Sequence, residues 1–463
     1  MERKNAWAAY AEDDSKVEAF AKAYCDFINN GKTERECVAY GEKLAKAHGF
    51  EDLNAVIRSG RKLEAGARVY VNWMGKSFML FVLGAKPLEE GMNILGAHID
   101  SPRIDVKQNP LYEDGDLAYL DTHYYGGIKK YQWVAMPLAL HGVIIKKNGE
   151  KVPVNIGEDE NDPVFCISDL LIHLAQEQMA KNAKDVVEGE ALNLIVGGRP
   201  LAGEEKDAVK ANVLKLLDDK YGVEEEDFLS AELEIVPAGK ARDMGFDRSM
   251  ILGYGHDDRV CAYPSMMAVL DYEGTPDYTL CCIITDKEEI GSVGATGMAS
   301  HYLENTVAEL YACTADYCEL AVRRCLRNSR MLSSDVSAGY DPNFASAFEK
   351  KNSAFLGRGI CFNKFTGSRG KSGSNDANPE FMASLRKIMD DAGVAFQTAE
   401  LGRVDLGGGG TIAYLCAKYG MNVIDSGIAV LSMHAPYEII SKVDLYEGYR
   451  CYCAFLKGAK PVD

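Results

Sequence analysis

The sequence lacks any run of about 20 consecutive apolar residues, which is the length that a membrane-spanning helix needs. Its first residues, MERKNAWAAYAEDD, contain no apolar core of the kind that secretory signal peptides carry. The thirteen cysteines are scattered and include no Cys-x-x-Cys pair, which excludes a disulfide framework and predicts reduced, buried thiols. We therefore expect a soluble cytoplasmic protein that has no membrane partner.

An excess of basic residues is also absent. The chain has 51 lysines and arginines against 69 aspartates and glutamates, which gives a net charge of −18. Binding to nucleic acid depends on basic contacts with phosphate, so nucleic acid is excluded as a partner. The His-Glu-x-x-His motif is missing as well, and this excludes the design in which one helix carries the zinc ligands of a peptidase.

Length and patterning predict two domains, because a chain of 463 residues is too long for one hydrophobic core. After residue 245, apolar strand patterns alternate with helical patterns, which indicates an α/β domain with a mostly parallel sheet flanked by helices. Residues 107–240 differ: strand patterns lead into a helical stretch around SDLLIHLAQEQMA and then a polar, acidic region. The sequence therefore predicts a domain built from residues 1–106 and 241–463, interrupted by an inserted domain at 107–240.

Local patterns predict several individual elements. Two helices are expected between residues 5 and 50, separated at Asn30-Gly31. Gly75-Lys76 is typical of a hairpin turn between two strands. Further strands are expected at MNILGAH, TLCCIIT, RMLSS and IAVLSM, and VDLYEGYRCYCAFLKG is expected to be the last helix.

Histidines and carboxylates follow most of the apolar runs. In sheets of this kind, functional residues collect in loops at the carboxyl ends of strands. Histidine and carboxylate side chains are the ligands that divalent metals such as zinc take in proteins. The residues concerned are His98 and Asp100, Asp257 and Asp258, Glu288 and Glu289, Asp335, and His434.

This inventory fits a site for two divalent metal ions. Two histidines and three carboxylates around two such ions leave a charge of about +1, with open positions for water and substrate. Glu289 can then be a ligand while its neighbour Glu288 acts as general base. Asp100 is placed to accept the other ring N–H of His98. Each residue alone also has a plain structural reading: His98 as a hydrogen-bonded core histidine, Asp335 as a helix cap.

Five motifs carry a family resemblance: GAHIDSPR, GHDDR, DKEEIGS, SSDVSAGYDP and SMHAPYE. In this order they resemble the aspartyl aminopeptidase family of dinuclear zinc exopeptidases, from about residue 15 to the end. GHDDR replaces the LDN form of eukaryotic members, so the chain resembles the bacterial branch. The resemblance implies Asp257 as the bridging ligand, followed by an unusual peptide geometry, and Glu288 as the base. It implies this set of metal ligands: His98, Asp257, Glu289, Asp335 and His434.

The resemblance also implies an assembly and a substrate. Family members have a catalytic α/β domain interrupted by a β-rich domain that makes dimer contacts, and they form hollow tetrahedral dodecamers. They release N-terminal residues, often Asp or Glu, from short peptides. By resemblance we expect a homo-oligomer with two divalent metal ions in each subunit, with zinc favoured and cobalt or manganese as alternatives.

Four residues are predicted to bind substrate. Arg369 and Lys371 lie in CFNKFTGSRGKSGSNDA, which only partly resembles the pattern that reads acidic side chains; a charged surface loop is the alternative. Gly408 lies in DLGGGGT, where the absence of side chains lets backbone N–H groups approach a peptide, or simply makes a flexible turn. His173 resembles a histidine of the inserted domain that reaches a neighbouring subunit, with a structural role as the alternative.

The sequence therefore predicts a metallo-aminopeptidase that uses a metal-activated water and prefers acidic N-termini. Three alternatives stay open: a dinuclear deacylase or carboxypeptidase with the same catalytic domain, an aminopeptidase that prefers neutral or basic residues, and an assembly protein without chemistry. The intact Glu288 and the complete ligand set argue against the last of these.

Overall fold

The computed structural model describes residues 4–462, with the backbone alone at Ser368 and Arg369. The helices in this range are Ser15–Asn30 (α1), Glu34–Ala47 (α2), Leu53–Ser59 (α3), Gln176–Met179 (α4), Ala208–Tyr221 (α5), His256–Leu270 (α6), Tyr302–Thr314 (α7), Glu319–Arg327 (α8), Ser368–Lys371 (α9), Pro379–Ala392 (α10), Ala413–Ala417 (α11) and Lys442–Gly458 (α12). The strands are Glu51–Asp52 (β1), Arg68–Trp73 (β2), Ser77–Val82 (β3), Met92–His98 (β4), Arg103–Asp114 (β5), Leu117–Tyr125 (β6), Leu138–Ile145 (β7), Lys151–Ile156 (β8), Leu194–Gly197 (β9), Ala231–Pro237 (β10), Arg242–Met244 (β11), Met250–Gly253 (β12), Thr279–Thr285 (β13), Arg330–Ser334 (β14), Ser337–Ala338 (β15), Ile360–Asn363 (β16), Phe396–Thr398 (β17), Asn422–Gly427 (β18), Ala429–Val430 (β19) and Glu438–Ser441 (β20).

A nine-stranded mixed sheet organises the first of two compact units. Its strand order is β1-β2-β3-β13-β4-β14-β18-β16-β17. The four strands β13, β4, β14 and β18 run parallel to one another, whereas β3 and β16 pair antiparallel with the outer members of this group. The carboxyl ends of the four parallel strands therefore meet at one edge of the sheet. The predicted α/β class with a mostly parallel sheet is confirmed, since five of the eight strand pairings in this sheet are parallel.

Apolar clusters cover both faces of this sheet, which explains why its central strands read as continuous apolar runs. Successive residues of β13 alternate between the two clusters: Cys282 and Ile284 belong to one, Cys281 and Ile283 to the other. The first cluster takes in residues of α1, α6, α10 and α12, and the second takes in residues of α7, α8 and α11. Every residue of β4 and β13 is buried, so the polar groups at their ends are held on a rigid base.

The second compact unit is built on an antiparallel sheet. It consists of Ser101–Lys240 together with His434–Tyr437, and its six strands have the order β8-β7-β10-β5-β6-β9. The strand β8, KVPVNI, alternates exposed and buried residues along its length, as a strand with one covered face should. The division falls at Ser101 and Lys240, close to the predicted 107 and 240. The first unit comprises the chain up to Asp100, Ala241–Met433, and the residues from Glu438 onward.

Most of the expected elements are present. The helices α1 and α2 flank Gly31, the strands β2 and β3 form an antiparallel hairpin with Gly75 in the left-handed region, and the last helix is α12. The helix α2 begins with a complete capping box, in which Thr33 and Glu36 bind each other's backbone N–H groups.

Two expectations are wrong in part. The segment IAVLSM is not a strand of the main sheet; only Ala429–Val430 is extended, and it pairs with the two-residue strand β15. The strand that does enter the main sheet there is β18, just before it in the chain. The stretch SDLLIHLAQEQMA is broken into a 3₁₀ turn, Ile172–Leu174, and the single turn α4.

The thirteen cysteines all lie in the described range and form no disulfide; nine of them are buried, as the composition predicts. Across residues 4–462, none of the helices combines the length and the apolar character that crossing a membrane requires.

Candidate metal centre

Three neighbouring parallel strands deliver the central residues of the site. His98 is the last residue of β4, Asp335 follows β14 directly, and Glu288 and Glu289 follow β13 in a 3₁₀ turn. Asp257 lies in the first turn of α6, so it reaches the site from a helix start rather than from a strand end of the main sheet. The local fold thus collects residues that are far apart in the sequence.

The ligating atoms of these residues lie close together. The Nε2 atom of His98 is 3.1 Å from Oδ1 of Asp257 and 3.8 Å from Oδ1 of Asp335. Two groups of three have ligand atoms that all lie within 4.8 Å of one another: His98 with Asp257 and Glu289, and His98 with Asp258 and Asp335. Each group offers one histidine nitrogen and two carboxylates, which is a donor set that suits a divalent cation.

Burial makes this concentration of carboxylates costly without cations. Burial raises the pKa of Asp258 well above its ordinary value, and it also raises the pKa of Asp335. Burial opposes the charged form of His98, but hydrogen bonds to Asp100, Asp257 and Asp335 outweigh it and raise the pKa of His98 well above 6.5. The carboxylates around His98 therefore favour a positive charge among them, and bound metal ions would supply one.

Asp100 joins His98 to the turn that bears the two glutamates. The Nδ1 atom of His98 is 2.9 Å from the carbonyl oxygen of Asp100 and 3.2 Å from its Oδ1. The same carboxylate accepts the backbone N–H groups of Glu288 and Glu289, each at 3.1 Å. A proton on Nδ1 leaves Nε2 of His98 free to bind a metal, so this arrangement has the form of an outer contact that orients a ligand.

Glu288 stands beside the cluster in a half-buried position. Burial, with the carboxylate of Asp335 next in importance, raises the pKa of Glu288 to about 8. Because its backbone is held by Asp100, the side chain has a fixed origin close to the ligating atoms. A carboxylate with this environment is suited to accept and release a proton.

Two carboxylates of the site, one named in the sequence inventory and one not, were given no role by the sequence. Asp258 is fully buried; its Oδ2 accepts the backbone N–H of His98 at 3.4 Å, and its Oδ1 has no hydrogen-bond partner within the described part of the chain. The Asp257–Asp258 peptide bond is cis, an unusual geometry of the kind that the family resemblance implied. Glu438, also buried, accepts the backbone N–H of Asp257 through Oε2 at 3.0 Å. Only the doubled aspartate and the motif SMHAPYE hinted at them.

A glycine lets the strand of Asp335 come close to its neighbour. Asp335 donates its backbone N–H to the carbonyl of Ser426 at 2.9 Å. A Cβ atom at the next residue, Gly427, would lie 1.7 Å from the carbonyl oxygen of Asp335. No other residue fits at this position without moving the backbone of Asp335.

His434, the fifth predicted ligand, is not in either group of three. It belongs with the second unit, where its Nδ1 atom is 3.0 Å from the carbonyl oxygen of Gly127. His98 makes a comparable contact, since its Nδ1 atom faces the carbonyl oxygen of Asp100. The role of His434 as a ligand stays a prediction.

The predicted substrate-binding residues have mixed outcomes. Lys371 and Gly408 both line a cavity of about 290 Å³ between the loops 365–371 and 400–408. The Nζ atom of Lys371 is already 2.9 Å from Oδ2 of Asp376, so its charge is paired within the chain. The side chain of Arg369 lies outside the described residues.

His173, the fourth of these residues, lies on the surface of the second unit. It sits in an exposed apolar run whose members include Leu171, Ile172 and Leu174. Ile172 and Leu174 leave more than half of their surfaces exposed, at 69% and 67%.

The fold and the cluster of histidine and carboxylate side chains are those expected of a metal-dependent hydrolase, and comparison with known proteins identifies the family. Residues 27–456 match the family described as aminopeptidase I zinc metalloprotease (M18). The chain belongs to the M18 family of zinc aminopeptidases, which are exopeptidases, and the expected resemblance to such a family is confirmed.

Similar proteins match the chain over nearly its whole length. The chain is 58% identical, over 98% of both sequences, to a probable M18 family aminopeptidase 1 of Clostridium acetobutylicum. The crystal structure of an M18 family aminopeptidase from Thermotoga maritima has a TM-score of 0.94 at 42% identity, covering 99% of this chain and 100% of that one. The fold is also similar to that of the yeast mApe1 dodecamer, with a TM-score of 0.76 at 21% identity, covering 96% of this chain and 97% of that one.

The geometry around His434 generates a first prediction. If Nε2 of His434 is a ligand, then His434→Ala should abolish activity and reduce bound metal from two ions per chain towards one, as measured by elemental mass spectrometry. The exposed His301, which pairs with Glu304, supplies the matched control, and His301→Ala should keep full metal content. A fully metallated, fully active His434→Ala protein would remove this residue from the site.

Proposed function

We propose that this M18 family member is a two-metal aminopeptidase that releases the N-terminal residue from short peptides. The observation that carries the proposal is the pair of ligand groups that share His98, with Glu288 beside them. The family assignment supplies the reaction class, and the buried carboxylates supply a reason for cations to bind.

The proposed ligands are divided between two ions. Four of the proposed ligands, His98, Asp257, Glu289 and Asp335, belong to the two groups of three; His98 is common to both groups, and its ring nitrogen would bind only one of the ions. His434 is proposed to complete the set, since it precedes by four residues the Glu438 that binds the backbone of Asp257. Divalent ions held here would lower the pKa of a water molecule and polarise the scissile carbonyl. Zinc is proposed because the family is one of zinc metalloproteases.

Glu288 is proposed as the general base. Its side chain takes the proton of the attacking water and hands it to the amine that leaves, so one carboxylate serves both half-steps. Asp100 keeps the residue in reach by holding its backbone N–H, and the same carboxylate keeps His98 oriented. The chain thus divides the work between ligands, a base and a residue that positions both.

A second prediction separates the base from its neighbour. Glu288→Gln keeps size and removes the proton acceptor, so the rate should fall by about 10²–10⁴ while metal content stays near two ions. Glu289→Gln should instead lower metal content. Rate measurements and metal analysis on both proteins test the assignment, and the opposite pattern would mean that the two roles are exchanged.

The reaction itself is tested with a short peptide and its acetylated copy. An aminopeptidase needs the free amine, so it should release the first residue from the unmodified peptide alone, and a chelator should stop the reaction. Cleavage of the acetylated peptide would favour the deacylase or carboxypeptidase alternative.

We also propose that the second unit makes subunit contacts in a homo-oligomer. Its support is the exposed apolar run of Leu171, Ile172 and Leu174, since a patch of this kind marks an interaction surface. The dodecameric state of the yeast relative gives the model for the assembly.

The third prediction concerns this surface. Light scattering should report a particle far larger than the 50.7 kDa chain. Ile172→Ser with Leu174→Ser should shift the particle to smaller species, whereas Leu320→Ser, at a leucine of the first unit that is 53% exposed, should not. A wild-type monomer at micromolar concentration would rule out the proposed assembly.

An acidic N-terminal residue is the proposed preference, with Arg369 and Lys371 as the reading residues. A guanidinium that holds a carboxylate contributes about 1.5–3 kcal/mol, which equals a preference of roughly ten- to a hundredfold. Because Asp376 already pairs with Lys371, most of this preference is assigned to Arg369.

The fourth prediction follows from this assignment. Arg369→Ala should lower kcat/KM for N-terminal Glu and Asp substrates and leave Leu and Ala substrates nearly unchanged, whereas Lys371→Met should have the smaller effect. A panel of aminoacyl chromogenic substrates measures both. If the wild-type protein cleaves Leu or Lys derivatives better than acidic ones, the loop does not read carboxylates.

A further inference from the structure

The turn that bears Glu288 and Glu289 is part of a loop, residues 286–297, whose ends are joined. Asp286 and Gly297 are partners in a parallel β-bridge directly after β13. Inside the loop, the N–H of Ser292 binds the carbonyl of Lys287 at 2.6 Å, and the N–H of Gly291 binds that of Glu288 at 2.8 Å. The direction in which the two glutamate side chains leave the backbone therefore depends on how the joined ends of the loop, which we call the base of the loop, are held.

Three buried polar side chains hold the base of the loop. Thr296 donates its hydroxyl to Oδ2 of Asp286 at 2.5 Å. The Oγ atom of Ser77, at the start of β3, accepts the N–H of Asp286 at 3.2 Å and donates to the carbonyl of Thr296 at 2.6 Å. Asp286 and Ser77 are completely buried and Thr296 nearly so. Both ends of the loop are thereby tied to each other and to the hairpin β2–β3.

Two further contacts extend this base. The Nζ atom of Lys287 is 3.0 Å from Oδ2 of Asp286, and Lys287, the residue just before Glu288, has a left-handed backbone. The indole N–H of Trp73 donates to the carbonyl of Ala295 at 2.9 Å. At Gly297 a Cβ atom would lie 2.2 Å from the carbonyl oxygen of Ser292, so the closed loop admits no side chain there.

The tip of the loop carries exposed apolar side chains. Ile290 and Val293 are exposed, at 42% and 54%, although both are apolar. Restraints on Glu288 and Glu289 come from the carboxylate of Asp100 on one side and from the joined ends of the loop on the other.

We propose that the Asp286–Thr296 pair, linked through Ser77, positions Glu288 and Glu289 for the reaction. Neither residue touches the ligand groups, so their effect passes through the backbone of the loop. This inference rests on the proposed function, because it explains how the proposed base, Glu288, and the proposed metal ligand, Glu289, keep their relative positions. Groups one step removed from a metal site typically change activity or metal affinity by 10- to 100-fold when altered.

The fifth prediction tests this role with the threonine hydroxyl. Thr296→Val keeps the shape and removes the donor, so kcat should fall by about tenfold or more, with KM for a short peptide and metal content close to wild type. Thr296→Ser restores a hydroxyl and should recover most of kcat. Both kcat and KM are measured well below the melting temperature of each protein, and the metal content of each protein is measured in parallel.

A matched control separates positioning from simple loss of stability. The control variant is Thr306→Val, at a buried threonine of α7. It should leave kcat unchanged, although the melting temperature can change. Ser77→Ala is the second variant, used in the same way if Thr296→Val fails to fold, and it should lower kcat in the same direction. A wild-type kcat in either variant, or a loss that Thr296→Ser does not recover, would overturn the proposal. Failure of the metallated wild-type protein to cleave any free-amine peptide would instead overturn the proposed function.

Discussion

The carboxylate of Asp100 is the constraint on which the candidate site depends. It lies fully buried at the end of β4, contacts the ring of His98, and accepts the backbone N–H groups of Glu288 and Glu289. Hydrogen bonds to an ionised acceptor are about twice as strong as neutral ones, and low local dielectric strengthens them further. One side chain thereby sets the distance between a histidine from one strand and a turn from its neighbour.

This arrangement places several carboxylates close together in a buried site, where desolvation and mutual repulsion destabilise their ionised forms. Burial raises the pKa of Asp258, of Asp335 and of Glu288, which means that the folded protein disfavours ionising them together. The sheet, packed between apolar clusters on both faces, keeps the carboxylates close together despite this repulsion, because its strand ends cannot move apart. Cations that bind only the folded site would add their binding free energy to the stability of the protein.

The sequence predicted the strand-borne part of the site because periodicity and strand ends are readable from residue order. Three apolar runs each predicted a buried strand followed by a polar residue: MNILGAH, TLCCIIT and RMLSS. Parallel pairing brings the carboxyl ends of these strands together. Asp258 and Glu438 were given no role because neither follows a strand of the main sheet: Asp258 lies in the first turn of α6 and Glu438 begins the short strand β20. The segment IAVLSM misled for a related reason: it is apolar because β19 is buried, although it forms only a two-residue ladder.

Substrate preference is less readable than chemistry, and the reason is physical. A ligand set is recognised by residue types that must converge, whereas specificity is a difference between two affinities. A basic side chain contributes to that difference only if its charge is available, and Lys371 gives its charge to Asp376, which Lys364 also contacts. The same glycine- and lysine-containing loop can therefore stabilise itself or read an acidic side chain. The outcome depends on the ion pairs within the loop, and a sequence motif does not predict which ion pairs form.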